Sequence, residues 1–109
     1  MSIKIFSLIN CPYSEAALSF LKSKNIKSKI VKVEQANKEE YKNDKISTFP
    51  QIYFVHKKNT HLLGGYNDII DINNKIFKIN IDTSLQYLNK KYAKLTHKNK
   101  LRLIKMINN

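Results

Sequence analysis

The tightest constraint on this chain is a change of period around its one cysteine. Ile3-Lys4-Ile5-Phe6-Ser7-Leu8 is rich in β-branched and aromatic residues and reads as a short strand. From residue 14 to residue 24 the period switches, and Ala17, Leu18 and Leu21 fall on one helical face. Between the two elements lies Asn10-Cys11-Pro12-Tyr13-Ser14. Proline suits the first helical position, where the N–H it lacks has no intrahelical partner to lose. Cys11 therefore sits at or just before a helix N-terminus. Unpaired N–H groups and the helix dipole favour negative charge there, and the thiolate is the reactive form of cysteine. A lone cysteine is more often a small buried hydrophobe. Pro12 and the strand-to-helix turn tip the reading towards a nucleophile.

The rest of the chain builds outward from that unit. Residues 27–33 read as a second strand, with Ile30 and Val31 adjacent as in a strand covered on both faces. Strand, helix and strand in this order imply a parallel pair with a crossover helix. Residues 37–42 are short and charged, a second helix on the surface. A third strand over 51–56 follows Thr48-Phe49-Pro50, with proline at its entrance, where a missing N–H is tolerated. The isomer of that proline bond is not legible in the residues. Residues 57–60 form a hairpin turn into His61-Leu62-Leu63. Gly64-Gly65-Tyr66-Asn67-Asp68 then makes a tight turn into a helix whose apolar run begins at Ile69. Backbone N–H groups at such a turn can hold a carboxylate. Residues 82–95 and 96–107 read as further helical segments, with Asp82 or Thr83 and then Thr96 as N-caps.

Size and charge bound the function classes. At 109 residues the chain is expected to be one domain, and it has no apolar run of membrane-spanning length. One cysteine excludes an intramolecular disulfide framework and fits a reducing compartment. With no signal-peptide pattern at Met1-Ser2-Ile3-Lys4, the cytoplasm is the expected location, or the host cytoplasm for a viral source. The net charge of +12 is uneven: residues 1–74 carry eleven basic against seven acidic residues, and residues 75–109 nine against one. A basic end of this kind can be a surface for nucleic acid or an acidic partner. With no motif beside it, a solvated helical face is the plainer reading.

The order of three motifs resembles the glutaredoxins. They are Cys11-Pro12-Tyr13-Ser14 after the first strand, Thr48-Phe49-Pro50 before a later one, and Gly64-Gly65-Tyr66-Asn67-Asp68 before the next helix. The resemblance covers residues 3–72. It implies an α/β, thioredoxin-like fold: a central four-stranded mixed sheet flanked by helices on both faces. Residues 1–74 would form the core of a single domain, with residues 75–109 as a basic helical extension. It also implies that Cys11 is the nucleophile, that Pro50 is cis, and that the Phe49 backbone pairs with the cysteinyl part of glutathione. Tyr13 would line the site, and Gly65, Asn67 and Asp68 would hold the γ-glutamyl end. Two residues depart from the family pattern. Ser14 stands where many members have a second cysteine, and Leu8 stands where a lysine or arginine is usual. Lys42 or Lys45 is the candidate replacement for that cation.

A single thiol implies a monothiol cycle in which glutathione is co-substrate and glutathionylated proteins or small disulfides are the partners. No metal is expected, and His56 and His61 read as surface residues. Two alternatives belong to other classes. One is an iron–sulfur carrier using Cys11 and glutathione, against which Pro12 speaks, because such members typically have glycine there. The other is an inactive binding module with a polyanion-binding tail. A monomer with no membrane contact is expected.

Overall fold

Strand β1 (Ser2–Leu8) is the axis of the fold. Its alternation buries Ile3, Ile5 and Ser7 on one face and leaves the residues between them half-buried on the other. The computed structural model describes residues 2–76 and 79–108. After β1 come α1 (Pro12–Ser23), β2 (Ser28–Val33), a 3-10 helix (Gln35–Tyr41), β3 (Gln51–His56), β4 (Asn59–Gly64), α2 (Tyr66–Lys75), α3 (Ile81–Lys91) and α4 (His97–Ile107). The sheet order is β2-β1-β3-β4. β1 pairs β2 in parallel, from Ile3 opposite Ser28 to Leu8 opposite Val33, and pairs β3 antiparallel, with Ile5 opposite Ile52. β3 and β4 form an antiparallel hairpin whose turn places Lys57 at φ 54°. This is the mixed four-stranded sheet of a thioredoxin-like α/β fold, as the sequence resemblance implies.

The buried face carries one contiguous cluster. Ile3, Ile5, Ile52 and Phe54 from the sheet meet Ala17 and Leu21 of α1 and Ile69 and Ile72 of α2. Leu88 of α3 and Leu103, Ile104 and Ile107 of α4 belong to the same cluster. Even a cationic residue of α4 is enclosed: Lys100 is buried, and its Nζ donates to Asn89 Oδ1 at 2.7 Å. The C-terminal helices are thus packed elements, and solvation does not describe their inner faces. Of the expected C-terminal segment, residues 77, 78 and 109 lie outside the described residues. On the opposite face of the sheet, Phe6 meets Tyr53 and the Tyr41 ring of the 3-10 helix, at 5.8 and 5.5 Å between ring centres.

Several local expectations are corrected. β2 is an edge strand, with β1 on one side only, and Ile30 is 48 % exposed. Adjacent apolar residues suggest cover on both faces, yet on this edge strand Ile30 stays exposed and Val31 is only half-buried. The helix expected at 37–42 is a 3-10 helix with no buried residue. α3 is capped by Asn80, whose side chain accepts from the Thr83 N–H at 3.2 Å, and neither Asp82 nor Thr83 is the cap. It ends at Lys91, while the apolar spacing runs on to Tyr92 and Leu95 because a turn packs Tyr92 against the core and buries Leu95. Thr96 does cap α4, accepting from the Asn99 N–H.

Candidate active site

The loop that carries the cysteine is tied down from three sides. Ser14 is fully buried, and its hydroxyl oxygen accepts from the Leu8 N–H at 3.1 Å, so the end of β1 is bonded to the first turn of α1. The Ile9 N–H reaches Val33 O of β2 at 2.9 Å, and the Gln35 side-chain amide donates to Ile9 O at 2.7 Å. Asn10 takes φ 62°, a left-handed conformation that asparagine tolerates better than most residues. The chain then enters α1 with Cys11 as its extended N-cap and Pro12 directly after. The Cys11 carbonyl accepts the Glu15 N–H at 3.0 Å, which closes the first helical turn. The thiol is partly buried.

Opposite the thiol stands the entrance to β3. Cys11 Sγ lies 4.0 Å from the Phe49 carbonyl oxygen, and the Phe49–Pro50 peptide bond is cis. Buried Gln51 anchors this corner, its side-chain amide donating to Tyr41 O at 2.9 Å. A cleft of about 620 Å³ runs from here between Tyr13, Thr48 and Phe49 on one side and Gly65, Tyr66 and Asn67 on the other. That volume is within the range of small-molecule sites. Tyr13, 61 % exposed, stands 6.1 Å from the Tyr66 ring across the cleft mouth.

The far end of the cleft is the turn from β4 into α2. Gly64 takes φ +126°, and a Cβ on it would fall onto the Asp68 carboxylate. Asp68 Oδ2 accepts the Gly65 N–H at 2.8 Å and so satisfies one donor at the helix start. Asp68 Oδ1 lies 3.0 Å from Lys91 Nζ of α3. The neighbouring Asp71 receives the Tyr87 hydroxyl at 2.9 Å, and Lys91 stands 3.4 Å from it. That hydrogen bond from Tyr87, helped by Lys91, holds the Asp71 carboxyl below its ordinary value although partial burial pulls the other way.

The structure lines one cleft with Tyr13, Phe49, Gly65, Asn67 and Asp68, while Cys11 is not a lining residue and adjoins the cleft through its approach to Phe49, and Pro50 is buried. The two candidate cations part ways. Lys42 is paired with Glu39 at 2.9 Å and is not among the residues lining the cleft, whereas Lys45 lines it. Asn43 shapes the loop that presents Lys45, its side-chain oxygen accepting the N–H groups of Lys45 and Ile46. Tyr66 and Lys91 were not legible as site residues: Tyr66 reads as a turn residue, and Lys91 is one lysine among nineteen. His56 and His61 are half-buried. Burial first, then the nearby Arg102, holds the His56 imidazole below its ordinary value. Among the described residues no group of three or more His, Cys, Asp or Glu could hold a metal ion.

Chemically, the cleft offers the Phe49 carbonyl with the Cys11 thiol beside it, and the start of α2 at the turn that follows β4. A family model described as Glutaredoxin matches residues 3–58, which include Cys11 and Pro50 and stop before the Gly64 turn. No curated protein matches the chain.

Proposed function

The chain belongs to the glutaredoxin family, and from that premise we propose that it is a glutathione-dependent thiol–disulfide oxidoreductase that uses Cys11 alone. The observation that carries this reading is the 4.0 Å approach of Cys11 Sγ to the Phe49 carbonyl, at the head of a cleft that ends in the Gly65–Asp68 turn. The cysteinyl backbone of glutathione pairs along Phe49, which delivers its sulfur to Cys11. Its γ-glutamyl end reaches the start of α2. Lys45 is the cation that faces the cleft for the glycine carboxylate, a part that Leu8 cannot play.

The Cys11 thiolate attacks the glutathione sulfur of a mixed disulfide. The new Cys11–glutathione disulfide forms as the old S–S bond breaks, and the partner leaves as thiolate to take a proton from solvent. A second glutathione thiolate then attacks the glutathione sulfur, releasing oxidised glutathione and restoring Cys11. Ser14 takes no part in exchange, because a hydroxyl has no sulfur with which to form a disulfide; its oxygen accepts the Leu8 N–H. The test is turnover of a glutathionylated substrate, coupled to reduction of the oxidised glutathione formed. Cys11→Ser is nearly isosteric and is expected to keep the fold and lose all turnover. Activity surviving in that variant sinks the proposal.

A further inference from the structure

Lys91 lies outside the family-matched segment and does not line the cleft, yet its Nζ reaches Asp68, which does. Both oxygens of the Asp68 carboxylate are engaged, one by the Gly65 N–H of its own turn and one by this lysine from α3. Lys91 is itself held in place. Its Nζ stands 3.4 Å from Asp71 Oδ2 and 5.8 and 5.6 Å from the ring centres of Tyr87 and Tyr92. Tyr92 in turn donates its hydroxyl to Leu63 O of β4 at 2.6 Å, so the end of α3 is fastened to the strand that leads into the turn.

Charge decides what this arrangement does. An unpaired carboxylate at the first turn of α2 repels any carboxylate that approaches the same N–H groups. Paired with Lys91, the Asp68 carboxylate is compensated and fixed in one orientation. We propose that Lys91 is a positioning residue for the cleft: it pins and neutralises Asp68 so that the Gly65–Asn67 turn accepts the α-carboxylate of a γ-glutamyl group. This rests on the glutathione reading above and assigns a role in ligand selection to the C-terminal helices.

The experiment measures binding of S-methylglutathione, which has no free thiol, to the full chain by calorimetry, with turnover measured in parallel. Lys91→Met is expected to weaken binding roughly two- to fivefold, the scale of one part-exposed ion pair. KM for the glutathionylated substrate rises by a similar factor and kcat stays within about twofold. Lys91→Arg keeps the charge and restores wild-type affinity. Lys91→Gln loses it and matches Lys91→Met, and it decides the matter if the methionine variant fails to fold. The penalty vanishes for S-methylcysteinylglycine, which lacks the γ-glutamyl group. Asp71→Asn removes a partner of Lys91 and Tyr87 without touching Asp68, and is expected to bind as wild type. Equal affinity in wild type, Lys91→Met and Lys91→Gln overturns the inference. So does an Asp71→Asn variant as weak as Lys91→Met, because Lys91 then acts only by docking α3. A wild type that binds no S-methylglutathione overturns both this and the proposed function; one that binds and turns over beside equally competent variants overturns this alone.

Discussion

Two neighbouring glycines at the cleft have unequal reasons to be glycine. Gly64 has a positive φ, and the space beside its Cα is filled by the Asp68 carboxylate. Gly65 has φ −99°, and a Cβ there meets only Pro50 O at 3.6 Å, an ordinary contact. Gly64→Ala is therefore expected to cost stability by roughly 1–3 kcal/mol, the range for a side chain forced into a sparsely populated conformation, and to displace Asp68 from Gly65 and Lys91. Gly65→Ala should leave the unfolding midpoint nearly unchanged. Denaturant titration of the two variants checks this, and equal midpoints contradict it. A doublet of this kind reads as a turn in any sequence. Which glycine is indispensable was not legible, because the obstacle is a side chain fixed by the fold.

At the scale of elements, the unit from β1 through the cysteine loop to α1 was the most legible part of the chain. Its signals are local: alternation, a proline, then a 3.6-residue period. Docking between distant elements was not. The pairing of Asp68 with Lys91 joins α2 to α3 and leaves no mark in spacing, and the misread cover at Ile30 depends on β2 being the edge of the sheet. The contact between α2 and α3 has a pH signature. Asp71 is held below its ordinary carboxyl value, first by the Tyr87 hydroxyl. A depressed carboxyl contributes stability that is present above the unfolded value, near 3.9, and is lost as pH falls through the lower folded value. The melting-temperature gap between wild type and Asp71→Asn should accordingly be constant above about pH 5 and close in stronger acid. A gap that widens on acidification contradicts the pairing.

For the molecule as a whole, the C-terminal helices are part of what makes it fold. Leu103, Ile104 and Ile107 are buried in the same cluster as β1 and β3. Exposing three such side chains forfeits roughly 5–9 kcal/mol at about 1.5–3 each, against a total stability of about 5–15 kcal/mol for a typical domain. Deleting residues 96–109 should then abolish cooperative unfolding or lower its midpoint severely. A truncated chain that unfolds at the full-length midpoint shows that α4 is an accessory. The sequence offered the helical spacing of α4 but gave no sign that the sheet would depend on it. An amphipathic basic helix looks the same whether its apolar stripe meets a core or a partner.

The open edge of the sheet carries a consequence of its own. Among the described residues β2 has a strand neighbour on one side only, and such a border is the kind on which copies of a protein can zip together. Along that border Lys29 and Lys32 are exposed on either side of Ile30 and Val31. A second copy laid against β2 brings its own Lys29 and Lys32 towards the same cations, and like charges set opposite one another oppose the pairing. Some of the excess positive charge thus works without any ligand: on the border of the sheet it opposes edge-to-edge growth.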